Sequence, residues 1–146
     1  KRSSRKAAMP SSLLLRRILL TLSVSVLGLL VPYLEYSPTH IFNPDWPGHA
    51  KLHDVWQLIT NSTFAAAAAC LAWTRTDLRL GARLGLVAPV AFLVSYFTMD
   101  LYGGSMVNSD GTELRFGSLN ASLVMMLIVS GILGYLSLAR PAGGEA

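Results

Sequence analysis

Four apolar runs, each close to the length that crosses a bilayer as helix, restrict what this chain can fold into more than anything else in it. They are Ile18–Leu34, Val55–Trp73, Leu84–Met99 and Leu119–Leu138. A hydrocarbon core takes roughly 20 helical residues, and the third run is the shortest of the four. In lipid each backbone N–H and C=O must find its partner within the protein, so the runs are expected as helices. The expected fold is all-α: one integral membrane domain over residues 1–146, a four-transmembrane-helix bundle with helices about 13–35, 43–74, 82–101 and 119–139. A structured outer loop would join the first two. Only 14% of the 146 residues are charged, against about 25% in a soluble domain. A water-soluble fold this small has nowhere to hide the remaining apolar surface.

The first run is expected to stay as an anchor. It is longer than the apolar centre of a signal peptide, and Val31-Pro32-Tyr33-Leu34-Glu35 offers no small-residue cleavage site. The chain opens on Lys1 rather than Met, which points to a start inside a longer reading frame or after processing. Cys70 is the single cysteine and excludes an internal disulfide; it reads as a packed thiol. Ala65–Ala69, Gly28, Gly131 and Gly134 are small enough for helices to approach closely.

Charge sets the expected orientation. Lys1, Arg2, Arg5, Lys6, Arg16 and Arg17 precede the first run, Arg75, Arg79 and Arg83 lie between the second and third, and Arg140 follows the fourth. Ten of the 12 basic residues thus fall on one side, with only Lys51 and Arg115 on the other. The positive-inside rule then puts both termini in the cytoplasm, as in a bacterial inner-membrane protein. The net charge of +4 is a topology signal with some attraction for anionic headgroups, and calls for no nucleic-acid partner. Glu35, Asp45, Asp54, Asp100, Asp110 and Glu113, with all three histidines, gather on the opposite side; Asp77 and Glu145 do not.

The loop from Glu35 to Gln57 is rich in proline, tryptophan and histidine and has no Gly/Ser run. Asn43-Pro44 has the form of a helix start, with Asn as cap and Pro in the first turn. Trp46 and Trp56 suit the interfacial belt. On a helix from Asn43, His49 and His53 share a face, followed by Trp56 or Gln57 and then Thr60 or Asn61. Polar groups at that depth face the bundle or a wet cavity, where bonding between helices competes with a functional role. Glu35, Asp100 and Asn120 reach the same depth from the other three helices, with Tyr96 one turn from Asp100. Helix ends commonly carry such groups, but three converging on two histidines form a candidate site. In the second loop, Tyr102–Ser118, Asp110-Gly111 marks a turn. Met106-Val107 and Leu114-Arg115-Phe116 would be short strands or a lid, with Asp110 and Glu113 solvated.

The string His-x-Phe-Asn-Pro-x-Trp-Pro-x-His-Ala-x-x-His-x-x-Trp at His40–Trp56 resembles the signature of a family of small bacterial four-helix membrane proteins. That resemblance implies a shape and no established activity. The architecture is also similar to EXPERA-type membrane sterol isomerases, which place histidine and carboxylate groups in a mouth between short spans; the likeness implies proton-transfer chemistry on an apolar substrate.

Three functions are compatible with these residues. The first is general acid–base catalysis on a lipid-soluble substrate by an isomerase, cyclase or epoxide hydrolase without a cofactor. His53 and Asp100 would be the acid–base pair, and His49 and Glu35 would orient it. Trp56, Gln57, Asn61, Tyr96 and Asn120 would hold the substrate. The second is one divalent metal ion on His40, His49 and His53, with Glu35, Asp45 or Asp54 adding an oxygen ligand, although the His-Glu-x-x-His arrangement of zinc proteases is absent. The third is an accessory or lipid-binding subunit, with the rigid loop as its docking surface. The expected partners are the lipid bilayer, a hydrophobic small molecule, and a second copy or a larger membrane complex.

Overall fold

The structure, a computed structural model, describes residues 10–74 and 77–139. Lys1, Arg2, Arg5, Lys6, Arg75, Arg140 and Glu145 lie outside those residues. Among the described residues, four helices are long and apolar enough to cross a membrane: α1 Ser11–Glu35, α2 Gly48–Thr74, α3 Leu78–Leu101 and α4 Ala121–Leu138. The all-α expectation holds, with one small addition. A two-stranded antiparallel ribbon, β1 Arg115–Phe116 with β2 Leu119–Asn120, precedes α4.

Proline shapes two of the helices. α1 loosens to a π-helical turn at Val26–Leu30 before resuming at Val31–Glu35. Pro32 has no N–H to give the preceding turn, and its ring crowds the carbonyl four residues back, that of Gly28. Ser62 Oγ on α2 donates to that carbonyl at 3.0 Å. A proline inside a spanning helix is tolerated through neighbours of this kind. α3 breaks at Leu86, one turn before Pro89, for the same steric reason. Ser62→Ala is expected to lower unfolding stability by about 1 kcal/mol. A shift in the thermal midpoint of the detergent-solubilised protein reads this out.

The densest packing lies in the half of the bundle away from the two long loops. Leu20 and Val24 of α1 meet Ala68 and Ala72 of α2, Leu78 and Ala82 of α3, and Val129, Leu133 and Leu136 of α4. Glycine makes that contact possible. A Cβ on Gly81 would lie 2.7 Å from the Ala68 carbonyl oxygen, and one on Gly85 would lie 2.8 Å from Val24 Cγ1. Gly28 likewise sits against Ala65, so the small-residue expectation holds for Gly28 and the alanine run. It fails for Gly131 and Gly134, which have open space beside them. The same end is pinned by Trp73, whose Nε1 donates to Thr21 Oγ1 at 2.8 Å. The Arg17 guanidinium stands 5.6 Å from the centre of the Trp73 ring.

Several expectations move, among them the start of α3, at Leu78 instead of near 82. α2 begins at Gly48 and not at Asn43, because the N–H groups of Ala50 and Lys51 turn back to the Pro47 carbonyl. Pro47, rather than Asn43, is the residue that immediately precedes the helix. In the second loop the strand partner of Arg115–Phe116 is Leu119–Asn120 and not Met106-Val107. The two-residue tip is Gly117-Ser118, with Gly117 at φ +60°, the backbone sign such hairpins demand. Asp110-Gly111 forms its own separate turn, with Gly111 N–H donating to the Asn108 carbonyl.

Candidate functional site

The end of α1 runs into a compact turn rather than a free linker. The Glu35 carbonyl accepts from Ser37 and Ile41, and the Ser37 carbonyl accepts from His40 and Phe42. This winding brings the His40 ring back over the helix end. His40 Nε2 stands 3.1 Å from Glu35 Oε2, with both side chains about three-quarters buried. The other ring nitrogen, Nδ1, is 2.9 Å from Thr39 Oγ1 and 3.3 Å from Ser37 Oγ, and the two hydroxyls are 3.1 Å apart. Asp54 on α2 lies close enough to act electrostatically on both Glu35 and His40. Its Oδ2 is buried with no hydrogen-bond partner among the described residues. Trp46 meets the His40 ring edge-on at 5.8 Å, and Tyr36 and Phe42 pack edge-to-face alongside.

Asn43 fixes this turn. It is 1% exposed, and its amide nitrogen donates to the Thr39 carbonyl at 3.2 Å and to Ser109 Oγ at 2.8 Å. Its Oδ1 accepts from the Asp45 N–H at 2.9 Å. One side chain therefore ties the first long loop to the second. Asn43-Pro44 therefore closes a turn instead of starting a helix, and one of the Asn43 partners lies 66 positions away. Asn43→Ala is expected to remove about 2 kcal/mol, since it leaves buried groups unpaired. Hydrogen exchange should rise together in residues 36–47 and 105–112 while α4 stays protected.

The other expected site residues do not gather around one point. His49 and His53 do share a face of α2, with Nε2 atoms 3.0 Å apart, but that face is exposed. His53 also lies beside Trp56, ring centres 5.8 Å apart, and Gln57 is exposed on the same helix. Asp100 sits in the exposed 3-10 turn that ends α3. Tyr96 packs against Phe92 and Phe97. Asn120 is buried, capping α4 through Leu123 N–H at 3.0 Å and donating to Glu113 Oε1 at 2.9 Å. That amide, with Arg115 beside it, holds the Glu113 carboxyl below the ordinary carboxylate range. Asn61 borders a space of about 10 Å³ together with Leu27, Phe64, Gly85 and Ala88, the room of about one water molecule. Among the described residues, no three His, Cys, Asp or Glu side chains come together as a metal-binding group.

The structure thus joins Glu35 and His40 outside the expected acid–base pair, with Asp54 nearby, and brings in Thr39 and Ser37, which the sequence did not single out. The available signal was the short spacing of Glu35, Ser37, Thr39 and His40 across Pro38. No protein-family description, curated protein or solved structure matches this chain.

Proposed function

We propose that the chain is a membrane-embedded acid–base enzyme acting on a lipid-soluble substrate, with Glu35 and His40 as the working pair instead of His53 and Asp100. The observation that carries this reading is the continuous path from hydroxyl to imidazole to carboxylate: Thr39 Oγ1 to His40 Nδ1 at 2.9 Å, and His40 Nε2 to Glu35 Oε2 at 3.1 Å. A neutral imidazole with hydrogen on Nε2 donates to Glu35 and accepts from Thr39 at Nδ1. A proton entering at the hydroxyl end then delivers one to Glu35 as the imidazole changes tautomer, and the reverse passage returns it. That is the requirement for isomerisation, cyclisation or epoxide opening, in which one position of a substrate is protonated and another deprotonated. Trp46, Tyr36 and Phe42 would supply aromatic faces for a cationic intermediate. Exposed Tyr33 and Leu34 beside Glu35 give an apolar approach from the bilayer. In this reading the site lies at the non-cytoplasmic surface of a bacterial inner membrane, with both termini in the cytoplasm, as the basic residues direct.

The test is turnover of isoprenoid, sterol and epoxide lipids by the purified protein in nanodiscs, with His40→Gln and Asp100→Asn in parallel. Product formation that His40→Gln abolishes and Asp100→Asn leaves intact supports this arrangement. Loss in Asp100→Asn alone returns the chemistry to the His53–Asp100 pair.

One observation favours a second, non-catalytic reading as an accessory subunit. Phe42, Leu114 and Phe116 lie on loops outside the four spans, yet each is more than half exposed. Apolar rings so placed suit contact with a partner protein at headgroup level. A chain that turns over none of these lipids and co-purifies stoichiometrically with one membrane protein, released by Phe116→Ser, favours this reading.

A further inference from the structure

His49 and His53 lie four residues apart on α2, and their rings approach through their nitrogens: the Nε2 atoms are 3.0 Å apart while the ring centres are 4.5 Å apart. Both side chains are exposed. Left alone, two neutral imidazoles in this position share a single hydrogen bond, one ring donating and the other accepting. The same spacing suits a different task. Two nitrogens that far apart, each about 2.0 Å from one ion, subtend an angle of about 95° at it. That is near the right angle between neighbouring ligands in a tetragonal site, and narrower than the tetrahedral angle.

We propose that His49 and His53 form a two-imidazole binding site for a divalent transition-metal ion of the copper(II) or nickel(II) type. The site stands on the exposed surface of α2 and is independent of the Glu35–His40 pair. Waters or lipid phosphate oxygens fill the remaining positions. His40 takes no part, because its nitrogens are already engaged by Glu35 and Thr39. The three-histidine arrangement suggested by the sequence therefore contracts to two. The rings sit on consecutive turns of a regular helix that Pro47 starts and Leu58 anchors by burial, so the ligand spacing exists before the ion arrives. The Trp56 ring, 5.8 Å from His53, gives the site a built-in reporter, since copper(II) quenches nearby indole fluorescence.

Copper(II) titration of the full chain in nanodiscs, free of affinity-tag histidines, tests the site by tryptophan fluorescence and electron paramagnetic resonance. The expected result is saturable quenching, with hyperfine structure from two imidazole nitrogens. His49→Ala and His53→Ala should each weaken binding at least about tenfold, and His40→Gln should leave it unchanged. Circular dichroism checks that each variant keeps its helix content. Equal binding by the wild type and the well-folded His49→Ala/His53→Ala double variant, or a spectrum of unbound copper in the wild type, overturns the proposal.

Discussion

Gly81→Ala should destabilise the bundle by about 1–3 kcal/mol, the usual range for forcing a methyl into a filled core. The new Cβ would meet the Ala68 carbonyl oxygen at 2.7 Å. That atom is backbone, held in the hydrogen-bond ladder of α2, and has no rotamer to move to. Behind it stands Leu20 Cδ1 at 3.4 Å, so the helices must separate. Alanine is the better helix former by about 1 kcal/mol, which offsets part of the loss without reversing it. Gly85→Ala should do less harm, because its nearest contact is the Val24 side chain, which can adjust. Gly131→Ala is the control: with nothing within 4 Å of its Cβ position, it should be neutral or slightly stabilising. Thermal unfolding of the three variants in one detergent, followed by circular dichroism, ranks them. Equal midpoints for Gly81→Ala and Gly131→Ala would show that this helix contact is not tight.

The second large effect concerns catalysis under the acid–base reading. His40→Gln keeps a polar side chain near Glu35 but removes the ring that carries a proton from one side to the other. Turnover should fall about 10²- to 10⁴-fold, the usual contribution of a positioned acid or base. Thr39→Val should fall less, because Ser37 Oγ also lies within reach of Nδ1 at 3.3 Å. The loss should appear in kcat with KM little changed, since the ring acts on protons in the transition state. A rise in KM alone would recast His40 as a binding group.

What was legible in the sequence follows from what each signal encodes. Apolar run length reports on the bilayer and not on neighbouring helices, so the four spans were readable without any knowledge of packing. The end of the bundle was readable too, since Glu35 and Asp100 close α1 and α3 while His53 and Asn120 lie at the starts of α2 and α4. Direction around the helix axis was not. A residue's azimuth depends on how its helix is rotated against the others, and His53 is rotated toward His49 and the exterior. Gly81 and Gly85 carry the Gly-x-x-x-Gly spacing that marks close helix contact in membranes. In the sequence Asp77, Arg79 and Arg83 give that stretch the look of a polar loop, whereas Asp77 caps a helix starting at Leu78. Asn43 shows the opposite failure. Its local pattern indicates a helix start, whereas the helix begins at Gly48 and Asn43 closes a turn whose partner Ser109 lies on a loop that only the folded chain brings near.

The π-helical turn at Val26–Leu30 sets the rotation of Glu35. Each residue of an α-helix advances the chain by about 100°, and a wide turn takes up part of a residue without lengthening the helix in proportion. The five residues beyond it therefore stand rotated from where an unbroken helix would have left them. The buried half of α1, through Leu20 and Val24, can remain fixed to the core while the last turn is set separately. Removing one residue between Val26 and Leu30 would leave that core contact in place and swing Glu35 away from His40.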